Sequence, residues 1–473
     1  MDIAAATPTP ELLPTLLRLR LAQAAQSPGH AQRLNDLKRL RDAFQQRIEE
    51  MAAVVSADFG NRSRHESLVA DGMTVLNEID HLRSNLKRWM RPQRRLVNWV
   101  FLPARAEVRV QPLGVVGVIA PWNYPVNLAL IPLATAIAAG NHVMLKPSEH
   151  TPRTSAFLRD LVGEVFPADR VAVVLGDAEV AAAFASLPFD HLLFTGSTAI
   201  GRKVMAAAAA NLTPVTLELG GKSPCVIAPG FPLPLAAARI ASGKWLNAGQ
   251  TCIAPDYLLL PESSRDAFIE ALRANVLERF PAIAGNRDYT TIINDTEYRR
   301  LRGYLDEATV RGVKVVELVP LDRATADAER LIAPTLVIDP PDDLAVMRDE
   351  IFGPILPVKG YRNLDDAIAY INAHPRPLSL YHFDNDRARV ERMLDRTVAG
   401  GVSINDTVMH FAQDRLPFGG IGPSGMGHYH GRDGFMTFSH QKSVLRQARL
   451  TSMALFKPPY RGLADKLVKF LTR

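Results

Sequence analysis

Between residues 115 and 228 the sequence alternates short apolar runs with stretches of helical periodicity, and this alternation limits the possible folds more than any other feature. Strands buried on both faces read as continuous apolar runs, so strand and helix repeated at this spacing predict a parallel sheet covered on both faces. The predicted strands lie at 115–120, 142–146, 171–175 and 191–194, and the helices between them begin near Val126, Thr151 and Glu179.

A second α/β series begins near Pro224, with strands predicted at 257–260, 335–338 and 378–383. Before both series, apolar residues recur every three or four positions over 32–51 and again over 76–89, which predicts two amphipathic helices. Segment 106–110 alternates in polarity like a partly exposed strand. Two domains of related style are therefore expected, with the reacting groups in the cleft between them.

Composition excludes several classes of protein. Hydrophobic residues make up 47% of the 473 residues and charged residues 22%, as in ordinary globular proteins. The 55 basic and 49 acidic side chains are spread along the chain, so nucleic acid is not an expected partner. No apolar run approaches the roughly 18–20 residues of a membrane helix. The basic and apolar stretch 457–473 predicts an ordinary terminal helix or a loose tail, with peripheral membrane contact as the less favoured alternative.

The cysteine count predicts a reducing compartment. Cys225 and Cys252 are the two cysteines of the sequence, which cannot form a disulfide framework. Asp2 and Glu11 stand where a signal peptide would need positive charge and an apolar core. A cytoplasmic location follows as an expectation.

Two patterns that often mark functional sites occur here in a sequence context that does not support that function. Segment 420–425 satisfies G-x-G-x-x-G but follows Leu416-Pro417-Phe418 instead of a strand, so it is interpreted as a loop. No metal site is expected, because His428, His430 and His440 lack a supporting cysteine or carboxylate arrangement.

Three motifs carry candidate chemistry. Cys252 follows a helical pattern over 235–247 and is a candidate nucleophile, although a lone cysteine is more often a core residue. Glu218 lies in an apolar strand that ends in two glycines; burial would raise its pKa and suit a general base, and an ion pair with Lys222 is the structural alternative. Asn123, between two prolines after a strand, could donate to an oxyanion or simply form a turn.

Together these residues resemble the aldehyde dehydrogenase superfamily. The likeness covers roughly residues 30–445, and the motifs occur in the order of that family. They are residues 121–125, 146–149, 194–197, 217–224, 249–255, 350–354 and 416–427. The amino-acid sequence of segments 249–257 and 409–431 is similar to that of the class-three branch. The sequence of segments 58–63 and 425–431 is most similar to that of the bacterial coniferyl aldehyde dehydrogenases.

The resemblance implies an α/β fold with three parts. An atypical Rossmann domain without the usual glycine fingerprint would bind NAD(P) and comprise residues 1–92 and 112–222. A catalytic α/β domain would comprise 223–398. Residues 93–111 and 399–446 would form a small bridging element that pairs two subunits into a homodimer, and 447–473 would form the basic apolar tail.

The resemblance also implies the reaction. Cys252 would attack an aldehyde, Asn123 and the Cys252 N–H would stabilise the oxyanion, and Glu218 would activate the water that hydrolyses a thioester. The small-molecule partner would be an aromatic or cinnamyl aldehyde such as coniferyl aldehyde, with a fatty or medium-chain aldehyde as the alternative. A cysteine hydrolase and a non-catalytic binding protein are the remaining alternatives.

Roles in cofactor binding are carried over in the same way. Lys146 would bind a cofactor ribose, Glu149 the adenine-side ribose and Glu350 the nicotinamide ribose. Because Glu149 would repel a 2′-phosphate, NAD is favoured, with NADP possible. The amides that open the helix from Gly196 would suit the pyrophosphate. The residues expected to bind the cofactor are Trp122, Lys146, Glu149, Gly196, Ser197, Gly201, Glu350 and Phe352.

Overall fold

The structure is a computed structural model that describes residues 5–449, 451, 458–460 and 462–472. Its strands, in chain order, are β1 Gln93–Arg95, β2 Arg105–Pro112, β3 Val115–Ile119, β4 His142–Lys146, β5 Val171–Val173, β6 His191–Thr195, β7 Val215–Glu218, β8 Pro224–Ile227, β9 Tyr257–Pro261, β10 Lys314–Glu317, β11 Thr335–Ile338, β12 Ile355–Tyr361, β13 Ser379–Phe383, β14 Gly401–Ile404, β15 Gly425–Met426 and β16 Ser439–Arg446.

The helices cover the faces of the sheets and form the N-terminal region. In chain order they are α1 Leu12–Ala25, α2 His30–Gln46, α3 Ile48–Phe59, α4 Arg64–Ser67, α5 Thr74–Trp89, α6 Asn127–Ala139, α7 Pro152–Val165, α8 Ala178–Ala185, α9 Thr198–Ala209, α10 Leu233–Trp245, α11 Arg265–Arg279, α12 Asp295–Val310, α13 Arg323–Glu329, α14 Ala345–Arg348, α15 Leu364–Asn372, α16 Arg387–Arg396, α17 Gly431–Thr437 and α18 Gly462–Leu471. Shorter turns are 3₁₀ at Thr9–Glu11, Trp99–Phe101, Leu246–Gly249 and Glu262–Ser264, and π-helical at Leu68–Met73.

A six-stranded sheet confirms the parallel α/β series predicted over 115–194. Its strand order is β15-β7-β6-β3-β4-β5, and β15 is its antiparallel member. The side chains of β3 alternate between two apolar layers: Val116 and Val118 pack with α6 and α7, whereas Val115 and Ile119 pack with α1 and α8. Both faces are therefore covered, as continuous apolar runs require.

The second α/β series forms a seven-stranded sheet in the order β10-β11-β12-β9-β8-β13-β14. Its neighbours are parallel except for β10 and β11. One large apolar core fills both faces of this sheet, including Trp245 and Tyr381, which are buried.

A three-stranded antiparallel sheet, β1-β2-β16, is the third. The strand predicted at 106–110 is β2, which extends over Arg105–Pro112. Segment 399–446, which the prediction assigned to the bridging element, contributes β14 to the seven-stranded sheet, β15 to the six-stranded sheet and β16 to the three-stranded sheet. It therefore joins all three sheets. The domain boundaries themselves stay a prediction.

The helix predicted over 32–51 is two helices, α2 and α3, separated at Arg47. Arg47 takes φ −108° and ψ 17°, and its guanidinium pairs with Glu50 of the second helix and lies 4.9 Å from the ring centroid of Phe157. Both helices bury their apolar residues in the same core, so the periodicity continues across the break. Gly60, with φ 94°, ends α3 as expected.

Part of the C-terminal stretch 457–473 lies outside the described residues, and the rest includes α18. Among the helices that the structure describes, none is both long and apolar enough to cross a membrane.

Candidate active site

The three residues predicted to carry the chemistry line one cavity of about 630 Å³, together with several of the predicted cofactor residues. Cys252 comes from the half of the chain that forms the seven-stranded sheet, whereas Asn123 and Glu218 follow or end strands of the six-stranded sheet. The lining residues are Pro121, Trp122, Asn123, Thr195, Gly196, Ser197, Thr198, Ala199, Glu218, Leu219, Gly220, Cys252, Glu297, Arg300, Tyr304, Asp349, Glu350 and Phe352.

Cys252 lies in the turn that follows α10 and a single 3₁₀ turn. Just before it, Asn247 and Ala248 adopt left-handed backbone conformations, with φ of 54° and 51°. Burial and the nearby carboxylates of Glu350 and Glu218 raise the pKa of the Cys252 thiol to about 12. The surroundings of this sulfur are therefore acidic, unlike the electropositive sites that stabilise a thiolate.

Glu218 is the last residue of β7 and is 3% exposed. Neither carboxylate oxygen has a hydrogen-bond partner among the described residues. Burial raises the pKa of Glu218 well above its ordinary value. The ion pair with Lys222 that the sequence left open is absent, since Lys222 pairs with Asp256 and donates to the Asp349 carbonyl at 2.7 Å. A buried carboxyl group of this kind is available as a proton acceptor once it is deprotonated.

Asn123 lies in the turn between β3 and α6 and is 3% exposed. Its side-chain amide donates to the Gln250 carbonyl at 3.2 Å, two residues before Cys252. Tyr124 contacts the same segment, because its hydroxyl lies 2.7 Å from Thr251 Oγ1. The turn residue and the cysteine loop are therefore in direct contact.

The predicted ribose-binding residues follow β4. The Lys146 side chain is 1% exposed and donates to Glu149 Oε2 at 2.8 Å. Burial opposes ionisation of Glu149, but the hydrogen bond and positive charge of Lys146, a backbone hydrogen bond and nearby His150 together outweigh it and lower the pKa of this carboxyl. Glu149 lines a second cavity of about 200 Å³ with Ser148 and Gly176. A carboxylate thus faces this cavity.

Glycines permit close approaches around the larger cavity. A Cβ at Gly220 would lie 2.1 Å from both carboxylate oxygens of Glu350, and one at Gly196 would lie 2.6 Å from the Phe194 ring. Ser197 caps α9 by accepting from the Ile200 N–H at 3.4 Å. Gly201 lies deeper in this helix, where a Cβ would lie 2.6 Å from Leu219. Gly201 therefore permits packing and is not among the residues that line the cavity.

The loop that carries Glu350 is held on two sides. Lys222 donates to the Asp349 carbonyl, and Arg300 of α12 donates to the carbonyls of Glu350 at 3.4 Å and Ile351 at 2.9 Å. Burial and the Asp256 carboxylate raise the pKa of Glu350 to about 8. Arg300, Glu297 and Tyr304 also line the cavity, and the sequence motifs did not single them out. Their helix begins about forty residues after Cys252, so no local pattern marks them.

Trp122 and Phe352 form an aromatic wall. Their ring centroids are 5.3 Å apart in an edge-to-face arrangement. Phe352 has φ 50°, a conformation that is uncommon for a residue with a side chain. The two rings together line one side of the cavity.

The chain matches a known protein family over most of its length. The model of the aldehyde dehydrogenase family matches residues 20–444. A probable coniferyl aldehyde dehydrogenase of Pseudomonas aeruginosa is 50% identical over 452 residues, which cover 95% of this chain and 94% of that protein. Aldehyde dehydrogenase family 3 member A2 of Mus musculus is 41% identical, over 90% of this chain and 87% of that protein.

Solved structures resemble the fold over nearly its whole length. Staphylococcus aureus AldH in a substrate-bound state superimposes with a TM-score of 0.92 and 38% identity, covering 97% of this chain and 99% of that one. Betaine aldehyde dehydrogenase of Staphylococcus aureus in complex with NAD⁺ has a TM-score of 0.85 and 25% identity, covering 94% and 89% of the two chains.

Proposed function

This chain belongs to the aldehyde dehydrogenase family, whose members are oxidoreductases, and from that premise we propose that it oxidises an aromatic or cinnamyl aldehyde, such as coniferyl aldehyde, to the acid. The observation that carries the proposal is the shared cavity, in which Cys252, Asn123 and Glu218 meet beside Glu350 and the first residues of α9. The 50% identity to a probable coniferyl aldehyde dehydrogenase supports the choice of substrate.

The cavity fits a nicotinamide dinucleotide. It lies at the carboxyl ends of the parallel strands β6 and β7, the edge at which open α/β sheets bind ligands. Gly196 and Gly220 line this cavity, and the N-terminal amides of α9 favour an anion. Lys146 and Glu149 would hold the adenine-side ribose, and Glu350 would hold the nicotinamide ribose. When bound, NAD supplies the hydride acceptor and a positively charged ring.

Cys252 performs the first bond formation in this proposal. Its thiol gives up its proton to water, and the sulfur attacks the carbonyl carbon, so the carbonyl oxygen becomes the oxyanion of a thiohemiacetal. The Asn123 amide and the Cys252 N–H donate to that oxyanion. The acidic surroundings of the thiol oppose this ionisation, so we expect Cys252 to react mainly in the complex with cofactor.

Glu218 acts in the second half of the cycle. Once hydride has left the thiohemiacetal carbon, the acyl group is held on Cys252 as a thioester. Glu218 takes a proton from a water molecule, the water oxygen bonds to the acyl carbon, and the bond to sulfur breaks to release the acid. A carboxylate without a fixed partner can accept this proton without first losing an ion pair.

Glu149 supports NAD over NADP. Its lowered pKa keeps it ionised at neutral pH, and a carboxylate beside the ribose 2′-position would repel a 2′-phosphate. Use of NADP remains possible where the phosphate can turn toward solvent. The partner molecules proposed are thus an aldehyde, NAD and a second copy of the chain. The proposed cytoplasmic location rests on the sequence alone.

The decisive experiment is to mix the protein with coniferyl aldehyde and NAD and to follow NADH and acid together. We expect one NADH for each acid, together with higher kcat/KM for cinnamyl and benzylic aldehydes than for medium-chain or fatty aldehydes. A cysteine hydrolase or a non-catalytic protein would form no NADH. Faster turnover of fatty aldehydes would contradict the proposed substrate class but not the proposed oxidation of aldehydes.

Cys252→Ala tests the covalent step, with Cys225→Ala as its matched control. Cys225 lies in β8 with 0% exposure, so its loss should cost some stability and little activity. We expect Cys252→Ala to form no NADH while it still binds NAD in a fluorescence titration. Acid formation by Cys252→Ala at a substantial rate would disprove the thioester.

A further inference from the structure

A buried cation lies behind the turn that carries Asn123. The side chains of Arg62 and Asp71 are both 0% exposed, and Arg62 Nη2 lies 3.0 Å from Asp71 Oδ2. The guanidinium carbon lies 5.2 Å from the ring centroid of Phe59 and 4.8 Å from that of Tyr124. Burying such a pair costs solvation energy that often cancels its attraction, so fold stability alone is a weak reason for its presence.

The ion pair holds the Asn123 turn at both ends. Arg62 Nη1 donates to the Asn123 carbonyl oxygen at 3.0 Å. Asn247, from the segment before Cys252, donates to the same oxygen at 3.0 Å. At the other end, Asp71 Oδ1 accepts from the N–H of Asn127 at 2.9 Å, in the first turn of α6. The backbone that carries the Asn123 side chain is therefore fixed by charged or amide groups from three separate segments.

The Arg62 backbone is itself anchored to a distant part of the chain. Asn61 donates through Nδ2 to the Tyr289 carbonyl at 2.7 Å, and its own carbonyl accepts from the Thr291 N–H at 3.0 Å. The Arg62 N–H donates to Ser56 Oγ at 3.0 Å. These hydrogen bonds fix the backbone of Arg62, and the Arg62 guanidinium in turn fixes the Asn123 carbonyl through its hydrogen bond.

We propose that Arg62 is a positioning residue, which acts through the Asn123 carbonyl to aim the Asn123 side-chain amide at the oxyanion formed on Cys252. This inference rests on the proposed function. An oxyanion donor must be held close to its productive direction, because a small displacement forfeits much of its effect. Fixing the carbonyl fixes the peptide plane before Tyr124, and with it the direction in which the amide leaves the backbone.

The test is a double-mutant cycle between Arg62→Met and Asn123→Ala, measured as the rate of the first-turnover NADH burst per active site. Losing an oxyanion donor costs about 100-fold to 1,000-fold in rate, and we expect Arg62→Met alone to cost about 10-fold to 100-fold. In the Asn123→Ala background the same change should cost less than about 2-fold, since the group that it positions is gone. The KM for NAD should stay constant.

Two further variants separate positioning from folding. Arg62→Lys keeps a positive charge beside Asp71 and a single donor nitrogen. Its burst should therefore be faster than that of Arg62→Met. The combination Arg62→Met with Asp71→Asn removes both buried charges and should regain melting temperature while its burst stays slow. Equal losses from Arg62→Met in both backgrounds, or a burst rate that recovers with the melting temperature, would overturn the proposal. A wild-type protein that forms no NADH would instead refute the proposed function.

Discussion

At the scale of single residues, the site holds two acids around one thiol. Burial, together with Glu350 and Glu218, raises the pKa of Cys252, and burial also raises the pKa values of both carboxyl groups. Cys252 acts as a thiolate and Glu218 as a carboxylate in the proposed mechanism, so each must lose a proton before it can act. The rate of the enzyme should therefore rise as the pH rises.

Glu218→Gln tests the second half-reaction. We expect a burst of about one NADH per active site followed by turnover that is roughly 100-fold to 10,000-fold slower than in the wild type, the usual effect of losing a general base. The burst should survive because acylation of Cys252 precedes hydrolysis. Rapid mixing with excess aldehyde and NAD measures both phases. A missing burst would show that Glu218 also helps to form the thiolate.

The pH dependence of deacylation gives an independent check on Glu218. Its active form is the deprotonated carboxylate, and burial raises its pKa. The deacylation rate should therefore increase with pH through a value above the ordinary carboxyl range, and this dependence should vanish in Glu218→Gln. A deacylation rate that is flat from acidic to alkaline pH would mean that another group activates the water.

Glu149→Gln addresses the choice of cofactor. The substitution keeps a hydrogen-bonding group near Lys146 but removes the negative charge that faces the smaller cavity. We expect kcat/KM for NAD to fall and kcat/KM for NADP to rise, so that their ratio shifts toward NADP. An unchanged ratio would place the adenine ribose away from Glu149.

At the scale of helices and strands, Asn141 joins three elements. Its side chain is buried, accepts from the N–H groups of Leu113 and Gly114 at 2.8 and 3.0 Å, and donates to the carbonyls of Ala136 and Phe438 at 3.2 and 2.8 Å. These bonds connect the start of β3, the end of α6 and the start of β16. The Asn141 side chain thus provides hydrogen-bond partners for two main-chain N–H groups and two main-chain carbonyls.

Asn141→Ala should therefore be strongly destabilising. Each buried main-chain group left without a partner costs about 1–3 kcal/mol, and with partial relaxation we expect a total of about 3–5 kcal/mol. Urea denaturation would measure the change. Asn35→Ala on the exposed side of α2 is the control and should change stability by less than about 0.5 kcal/mol. Equal effects from both substitutions would contradict this account of Asn141.

The elements that the sequence predicted best are those buried on both faces. The runs at 142–146 and 335–338 coincide with β4 and β11, because a strand with no solvent-facing side has a continuous apolar signature. The break at Arg47 was missed, since apolar residues keep their spacing through it. The π-helical turn at Leu68–Met73 lies between the two predicted helices and buries Asp71 and Gly72, so no apolar periodicity marks it. Those departures depend on distant contacts.

In the site, too, residues within local motifs were predicted and residues that act through distant contacts were not. Cys252, Glu218 and Asn123 follow or end regular elements and could be found from local motifs. Arg62 and Arg300 could not, since their partners Asn123 and Glu350 lie 61 and 50 residues away along the chain. A side chain that acts across such distances leaves no pattern in its own neighbourhood.

At the scale of the whole molecule, apolar side chains remain exposed around the three-stranded sheet. Leu96 is 102% exposed and Trp99 56%, both between β1 and β2, and Leu445 on β16 is 57% exposed. Exposed apolar residues in a cluster commonly mark an interface between proteins. They support the homodimer proposed for this chain.

We expect sedimentation velocity to show a dimer, and Leu445→Arg to shift it toward the monomer. Val310→Arg is the matched control, because Val310 is 87% exposed at the end of α12, away from the three-stranded sheet. A wild-type monomer, or a dimer that is unchanged by Leu445→Arg, would remove this surface from the interface.

The contribution of one segment to all three sheets also sets when those sheets can be completed on the ribosome. β14, β15 and β16 lie within residues 401–446, so every sheet lacks a strand until that segment has been synthesised. Elongation adds about 5–20 residues per second, which leaves the earlier strands waiting many seconds for their last neighbours. β15, which pairs with the strand bearing Glu218, is among the late arrivals. Cys252, the proposed nucleophile, thus emerges well before β15 can pair with the strand that carries Glu218.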